Sequence, residues 1–339
     1  MRFLICGMGS IGKRHMENLE SLGSTCEDII IFRTRKGTTN FGDKILENHG
    51  GRHIVFNDLK KALAEKPDVA FITNPTSLHV PVALEAARAG CHLFIEKPLS
   101  GSTKGVYALI KEVDSQGTIA FIAQNRRFHP LFKQVKQWLK EEITGKLISV
   151  NAEMAERITD WHPWEDFKTG YSARSDLGGG VVSAQCHELD YLYSLFGKPK
   201  WIFAAGGELG GLGIGVEDTC KSLMEFENGI IASLHIDYLK RPKRGFLEIT
   251  GTKGRIYWDY FNRTLEFIPI EGTAKLIRDS DSQPDNGWMA SSFINELRSF
   301  LLCIENKNQI FPDLKQGNDV LNMILATKKS LKTKKIIYL

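Results

Sequence analysis

The sequence is short of the features that mark membrane and secreted proteins. No stretch of the 339 residues approaches the roughly 18 apolar residues of a membrane span. The apolar start, MRFLIC, reaches a glycine too soon for the apolar core of a secretory signal. These absences predict a cytoplasmic protein with no membrane partner.

The sequence also has no large excess of charge of one sign and no closely spaced cysteine pair. The formal net charge of +4 is too small for the chain length to predict a nucleic-acid partner. The six cysteines include no CxxC pair and no other spacing typical of zinc. We therefore expect reduced cysteines, no metal centre and no bound nucleic acid.

The first third of the chain shows a regular alternation of strand and helix signals. Apolar strand patterns are each followed by a helical pattern or a turn. The predicted strands are RFLICG, DIIIF, HIVF, DVAFITN, HLFIEKP and IAFIAQN. Strands that alternate with helices predict an α/β fold with a doubly wound parallel sheet.

The pattern changes after this region. Long alternating strands follow, and Asn228-Gly229 is a strong hairpin signal between two of them. Consecutive hairpins predict an antiparallel sheet, and the tail from Trp288 to Ser330 predicts two helices. We divide the chain into an N-terminal α/β domain, 1–124, and a C-terminal α+β domain, 125–339.

A glycine-rich segment, GMGSIG, joins the first strand to the first helix, a context typical of dinucleotide binding. Gly7 allows the tight turn, Gly9 leaves room for a pyrophosphate, and Gly12 lets helix and strand pack closely. The amides of Ser10 and Ile11 then meet the phosphates at the positive end of the helix. The alternative is a tight turn without a ligand.

The end of the second strand predicts which dinucleotide binds. An acidic residue there would bind the ribose of NAD, but this chain has IFRTRKG and no carboxylate. Arg33, Thr34 and Arg35 suit the 2′-phosphate of NADP, so NADP is favoured over NAD. The alternative is that these residues form a solvated turn.

Two further segments follow strands at the ligand-binding edge of such a sheet. In TNPTSLH, Asn74 and Pro75 would form a backbone wall beside the nicotinamide. In EKP, Lys97 would lie near the nicotinamide ring and touch a substrate hydroxyl. The alternatives are a helix-entry turn and an exposed lysine at a strand end.

At this point the chain resembles a known family. The segments GMGSIGKRH, TNPTSLHVPVALEAARAGCHLFIEKPLS, QNRRFHP and SARSDLGGGVVSAQCHELDYLYSLFG are similar to the glucose–fructose oxidoreductase / inositol dehydrogenase (Gfo/Idh/MocA) family. The resemblance covers nearly the whole chain. It implies a Rossmann domain followed by an α+β domain with a large open antiparallel sheet, which binds substrate and joins subunits into homodimers or homotetramers.

The resemblance also implies roles for two residues. Lys97 matches the family lysine that bonds the reacting hydroxyl. His187 matches the family histidine that takes the proton, work that suits imidazole. From the residues alone, a histidine on an apolar helix such as His187 is more often a core histidine, and its partnership with Lys97 is what favours a functional role. Asp190 shares its helical face and would either orient His187 or cap a polar patch.

Further site residues follow from the motifs and the resemblance together. The predicted cofactor contacts are Gly7, Gly9, Ser10, Ile11, Gly12, Arg33, Thr34, Arg35, Asn74, Pro75, His79, Glu96, Lys97 and Gln124. The predicted substrate contacts are Lys97, Asn125, Arg127, Trp164, Tyr171, Ser183 and His187. The chain departs from the family at Ser183 and Ala184, where many members carry an aspartate one turn before the histidine.

These observations predict an NAD(P)-dependent enzyme. It would transfer hydride between nicotinamide and a hydroxyl or keto carbon of a sugar, cyclitol or nucleotide-sugar. Two alternatives remain open: a glycosidase or epimerase that borrows and returns the hydride, and a dinucleotide-binding sensor or regulator without catalysis. The missing aspartate favours the sensor, whereas Lys97 and His187 favour the enzyme.

Overall fold

The chain divides into two units, and the division does not follow sequence order. The computed structural model describes residues 1–34, 53–162, 165–279, 290–308 and 312–339. One unit comprises residues 1–123 and 296–321, and the other comprises 124–295 and 322–339. The first boundary lies one residue from the predicted one, but the segment 296–321, which was predicted to be part of 125–339, belongs to the first unit.

The first unit contains a parallel sheet, as predicted. Within the described residues its six strands have the order β3-β2-β1-β4-β5-β6, and every pair is parallel. The central strands are buried along their whole length, which explains their continuous apolar sequences. The strands are β1 Phe3–Cys6, β2 Ile29–Phe32, β3 Ile54–Phe56, β4 Val69–Ile72, β5 His92–Glu96 and β6 Ala120–Ala123.

The helices of this unit begin and end at recognisable residues. Asp58 caps α2 by accepting a 2.8 Å bond from the Lys60 amide. Gly117 ends α4 in the left-handed conformation. The helices are α1 Ser10–Ser21, α2 Leu59–Ala64, α3 His79–Arg88 and α4 Val106–Gln116.

An aromatic cluster explains why residues 296–321 return to the first unit. Phe300 packs edge-on against Phe94 of β5 with ring centroids 5.3 Å apart. The Ile122 amide donates to the Pro312 carbonyl at 2.9 Å. At Gly317 a Cβ would lie 2.6 Å from the side chain of Ile122, so the absence of a side chain permits this close approach. The helical periodicity of the tail predicts the two helices, but not the sheet that they cover.

The second unit contains a sheet of nine strands within the described residues, in the order β14-β13-β12-β11-β7-β10-β9-β8-β15. Gly229, at φ +79°, lies in the turn between β9 and β10, which confirms the predicted hairpin. The strands are β7 Leu147–Ala155, β8 Pro199–Gly207, β9 Thr219–Phe226, β10 Ile231–Asp237, β11 Arg244–Gly251, β12 Gly254–Asp259, β13 Thr264–Pro269, β14 Lys275–Arg278 and β15 Ile337–Tyr338.

One strand pair corrects the prediction of a purely antiparallel sheet. Strand β7 lies between β10 and β11, pairing parallel to β10 and antiparallel to β11. Since β10 and β11 are joined by a short connection and run in opposite directions, a strand between them must be parallel to one of them. The sheet is therefore mixed, because an earlier strand inserts into a later hairpin.

The remaining helices are α5 Pro130–Lys140, α6 Val181–Ala184, α7 His187–Phe196, α8 Ala290–Asn306 and α9 Leu314–Thr333. The last two are the predicted pair. No helix in the described ranges combines the length and apolarity needed to cross a bilayer. None of the six cysteines, all at described positions, forms a disulfide.

Candidate functional site

The glycine turn between β1 and α1 is built around two glycines that have no space for a side chain. Gly7 adopts φ +115°, and a Cβ there would lie 2.8 Å from the amide nitrogen of Asn74. A Cβ on Gly12 would overlap the carbonyl oxygen of Gly7. That oxygen is held by the Thr73 hydroxyl, which donates to it at 2.8 Å. The turn is thus fixed against the end of β4.

Gly9 differs from both, because a Cβ built on it would meet no atom of the described residues within 4 Å. Gly9 is the N-cap of α1, which has neither a side-chain cap nor an acidic residue in its first turn. The amides of Ser10 and Ile11 therefore lie at a positive helix end that has no side-chain cap. This lies at the carboxyl ends of β1 and β4, where the strand order reverses, so the residues present fit a pyrophosphate.

The end of β2 is described only in part. The Arg33 amide donates to the Phe56 carbonyl at 2.9 Å, which fixes its backbone beside β3. Arg33 is half-buried and Thr34 is exposed, and Arg35 lies outside the described residues. The role of these residues toward a 2′-phosphate stays a prediction.

His79 links the segments that follow β4 and β5. Its Nε2 lies 2.8 Å from the Asn74 carbonyl oxygen, and its Nδ1 lies 2.9 Å from the Pro98 carbonyl oxygen. The side chain is buried, and this burial lowers its pKa below the ordinary value, although the two carbonyls oppose the shift. His79 was predicted to contact the cofactor, but these contacts make it a brace between the segments carrying Asn74 and Lys97.

Glu96 also has internal partners. Its Oε1 lies 2.8 Å from His15 Nε2, and both side chains are buried. Its Oε2 accepts a 3.1 Å bond from the Lys97 amide. The carboxylate predicted to contact the cofactor therefore ties α1 to the end of β5 and fixes the backbone of Lys97. Sequence reasoning missed His15, although the quoted motif GMGSIGKRH contains it.

In the second unit, His187 opens α7 and is half-buried. Its Nδ1 lies 3.1 Å from Oε1 of Gln124, which is 2% exposed. Gln124 was predicted to contact the cofactor. The structure gives its amide oxygen a different partner, the imidazole that was predicted to move the proton.

Two buried ion pairs join the same segments. Arg126 pairs with Glu188, and Arg127 binds Asp190 through two bonds of 2.8 and 2.6 Å. Burial raises the pKa of Asp190 above its ordinary value, although Arg127 opposes the shift. Of the two predicted roles for Asp190, these bonds favour the polar patch over orientation of His187. They also direct Arg127, predicted to contact substrate, toward a carboxylate of its own chain.

The segment that contains Ser183 and Ala184, where the chain departs from the family motif, is tightly packed. Ser183, in α6, is only 2% exposed, so its hydroxyl has little surface for the predicted substrate contact. Gly180 adopts φ +101° against the carboxylate of Glu217, which accepts a 3.3 Å bond from the Val182 amide. Glu217 therefore caps α6, and the adjacent glycine is required by the approach of that carboxylate.

The remaining predicted substrate contacts have different surroundings. Tyr171 is half-buried, and Asn125 is 4% exposed. Trp164 lies outside the described residues. Trp161, which is not among the predicted substrate contacts, packs edge-on against Tyr238 with ring centroids 5.3 Å apart. Of Asn125 and Tyr171, the two described residues of this group, Tyr171 has the surface for contact with a substrate.

Comparisons with known proteins agree with the fold. Residues 1–124 match the family model "Oxidoreductase family, NAD-binding Rossmann fold", and residues 132–257 match the GFO/IDH/MocA C-terminal domain. The sequence is 26% identical to myo-inositol 2-dehydrogenase of Thermotoga maritima, with 100% of this chain and 98% of that protein covered.

The solved structures that match the whole chain include two dehydrogenases with bound ligands. Levoglucosan dehydrogenase, in complex with NADH and levoglucosan, matches with a TM-score of 0.84 at 17% identity, over 100% of this chain and 99% of that one. The WlbA dehydrogenase of Bordetella pertussis, in complex with NADH and UDP-GlcNAcA, matches with a TM-score of 0.82 at 21% identity, over 100% and 98%. At these identities the two structures support the fold.

Proposed function

Since the chain belongs to the Gfo/Idh/MocA family of oxidoreductases, we propose that it is an NAD(P)-dependent dehydrogenase. It transfers hydride between nicotinamide and a hydroxyl or keto carbon of a sugar, cyclitol or nucleotide-sugar. The related proteins described above are named for an inositol and a sugar derivative, or were solved with a nucleotide-sugar. These names and bound ligands support the proposed substrate class but do not identify the individual substrate.

The observation that carries the proposal is the turn at Gly9. Two glycines of the motif are required by the packing of the chain, whereas a Cβ built on Gly9 meets no atom of the described residues within 4 Å. Gly9 is also the N-cap of α1, and the first turn of that helix has no acidic residue. A fold that needed only a tight turn would need Gly7 and Gly12 but not Gly9, so the third glycine favours a ligand.

The chain's own residues handle the proton in this proposal. When bound, the nicotinamide supplies the hydride acceptor. Lys97 donates a hydrogen bond to the reacting hydroxyl oxygen and orients it. As the C–H electron pair leaves as hydride, the O–H bond breaks, its proton passes to His187 and a carbonyl forms. Reduction runs through the same steps in reverse.

The proposal favours NADP over NAD through Arg33. This side chain follows the second strand, where a carboxylate would favour the ribose of NAD. A guanidinium there is suited to binding a phosphate through two bonds.

The proposal also includes a homodimer or homotetramer formed through the sheet of the second unit. Phe203 and Leu223 are cross-strand neighbours on that sheet and are 36% and 40% exposed. Large apolar side chains in adjacent exposed positions are suited to pairing with a second sheet. Light scattering on the purified protein gives the subunit count.

The first experiment is a fluorescence titration of the purified protein with NADPH and, separately, with NADH. Tighter binding of NADPH supports both the glycine turn and Arg33, and tighter binding of NADH contradicts the Arg33 argument alone. Absence of binding in the micromolar range contradicts the proposed function. A panel of sugars, cyclitols and nucleotide-sugars is then tested for net change in reduced nicotinamide. Conversion of substrate without such a change would identify the hydride-borrowing alternative.

A further inference from the structure

The contact between residues 124–127 and the first turn of α7 joins expected site residues in a way that the predicted roles do not include. From the geometry we infer that Gln124 is a positioning residue that holds the His187 imidazole as its Nδ1–H tautomer, with Nε2 as the proton acceptor. The inference rests on the proposed function for its catalytic meaning, although the tautomer itself can be measured without any substrate.

The first step is the chemistry of the bond. A neutral imidazole carries its proton on one of two nitrogens, and the partner of each nitrogen selects the tautomer. The Gln124 oxygen that faces His187 Nδ1 at 3.1 Å can only accept a hydrogen bond. The proton therefore lies on Nδ1, and the basic lone pair lies on Nε2. The opposite tautomer would bring two lone pairs together inside the protein.

The second step is the fixation of Gln124. Its side chain is 2% exposed, and its backbone carbonyl accepts a 3.0 Å bond from the Arg127 amide. This bond belongs to a short 3-10 turn that begins at Asn125. A glutamine in such a place has little freedom to rotate its amide away from the imidazole.

The third step is the fixation of the helix that carries His187. Arg126 pairs with Glu188, and their side chains are 5% and 0% exposed. Arg127 holds Asp190 through two parallel bonds. Because residues 124, 126 and 127 bind residues 187, 188 and 190 in the same order, the first turn of α7 cannot rotate without breaking a buried ion pair. Breaking such a pair by removing one partner is strongly destabilising.

The fourth step is the role that this positioning serves. With Ser183 and Ala184 at the departure from the family motif, those positions supply no carboxylate to orient a proton acceptor. In the proposed reaction the substrate O–H proton bonds to Nε2, the hydride goes to the nicotinamide, and the imidazolium later releases its Nε2 proton. Gln124 supports the acceptor by keeping Nδ1 protonated throughout.

The test is nitrogen-15 NMR of protein labelled at histidine, without cofactor or substrate. The His187 signals are assigned by their disappearance in His187→Asn. In the wild type we expect a protonated Nδ1 and an unprotonated Nε2 in the neutral form. In Gln124→Met, which removes the amide oxygen at similar size, we expect this preference to be lost. In Gln124→Glu, whose carboxylate also accepts, we expect Nδ1 to remain protonated.

Kinetics distinguish positioning from a structural role. For Gln124→Met we expect kcat to fall by a factor on the order of 10 to 10², less than for full loss of acid–base assistance because His187 itself remains, with dinucleotide Kd unchanged. Gln124→Glu should retain more activity than Gln124→Met. The matched control is Gln137→Met, an exposed glutamine on α5, which should change neither the NMR signals nor kcat.

Specific results would overturn the inference. A wild-type His187 that carries its neutral-state proton on Nε2 contradicts it directly, and no variant is needed for that measurement. A Gln124→Met protein that keeps the Nδ1–H tautomer also contradicts it. If no dinucleotide binds, the proposed function fails, while the NMR result still decides the tautomer, so the two failures are distinguishable.

Discussion

The sharpest prediction compares the same substitution at two glycines of one turn. In Gly9→Ala the new methyl group meets no atom of the described residues within 4 Å, whereas in Gly12→Ala it overlaps the carbonyl oxygen of Gly7. That oxygen cannot easily move, because the Thr73 hydroxyl holds it at 2.8 Å. The two variants should therefore separate ligand binding from folding.

The expected magnitudes follow from these surroundings. At Gly9, φ is −85°, which alanine adopts without strain, and the reduced freedom of the unfolded chain adds about 0.4–1 kcal/mol of stability. Alanine is a poorer N-cap than glycine by an amount of similar size, so the two effects nearly cancel. At Gly12, overpacking against backbone should lower the free energy of unfolding by about 1–3 kcal/mol or more.

Gly9→Ala, which should leave the stability nearly unchanged, should weaken the binding of dinucleotide. Its methyl group would occupy the space assigned to the pyrophosphate and weaken hydrogen bonds to a charged group, each worth about 1.5–3 kcal/mol. One such bond lost corresponds to a roughly 10- to 100-fold weaker Kd. The assays are urea unfolding of the cofactor-free protein and fluorescence titration with NADH and NADPH.

Two results would refute this reasoning. If Gly9→Ala binds both dinucleotides as tightly as the wild type, the phosphates do not lie beside Gly9. If Gly9→Ala loses as much stability as Gly12→Ala, the space beside Gly9 is not open in solution. A folded Gly9→Ala protein with weakened binding is the outcome that supports the proposed function.

Three further predictions concern single side chains. Lys97→Ala should leave dinucleotide affinity nearly unchanged in titrations and lower kcat by a factor on the order of 10² to 10⁴; an unchanged kcat would remove Lys97 from the mechanism. Arg33→Asp should weaken NADPH more than NADH, and equal effects on the two Kd values would show that Arg33 does not contact the 2′-phosphate. Because burial lowers the pKa of His79 below 6.5, the unfolded state binds more protons as the pH falls through that value, so acid lowers stability. In urea unfolding across a pH series, His79→Gln should show a smaller acid-side decline than the wild type; equal declines would contradict this assignment.

The alternation of strands and helices was sufficient to predict the parallel sheet, because each strand is local in sequence and the central strands are buried along their length. The mixed character of the second sheet was not predictable in this way. The pairing of β7 with β10 joins segments about 80 residues apart, as in Ser233 hydrogen-bonded to Asn151. Local sequence carries the strand pattern but not the partner of each strand.

The candidate site shows the same limit. The motif around Gly7, Gly9 and Gly12 is contiguous, so the sequence could predict the tight turn at Gly7 and the close packing at Gly12. The phosphate contact at Gly9 stays a prediction. The bonds of His15 with Glu96 and of Arg127 with Asp190 join segments that are distant in sequence. Residue type alone could not distinguish a cofactor contact at Glu96 from an internal brace.

The contact of Gln124 with His187 bears on the departure at Ser183 and Ala184. A carboxylate beside an imidazole stabilises the imidazolium, whereas an amide oxygen accepts the same hydrogen bond without a full negative charge. In the proposed mechanism, Gln124 thus orients His187 while leaving the neutral imidazole available to accept the proton. Absence of the family aspartate from these positions therefore need not abolish proton transfer. In this proposal the Gln124 amide orients the proton acceptor. A proton acceptor that is held in position favours the enzyme over the non-catalytic sensor.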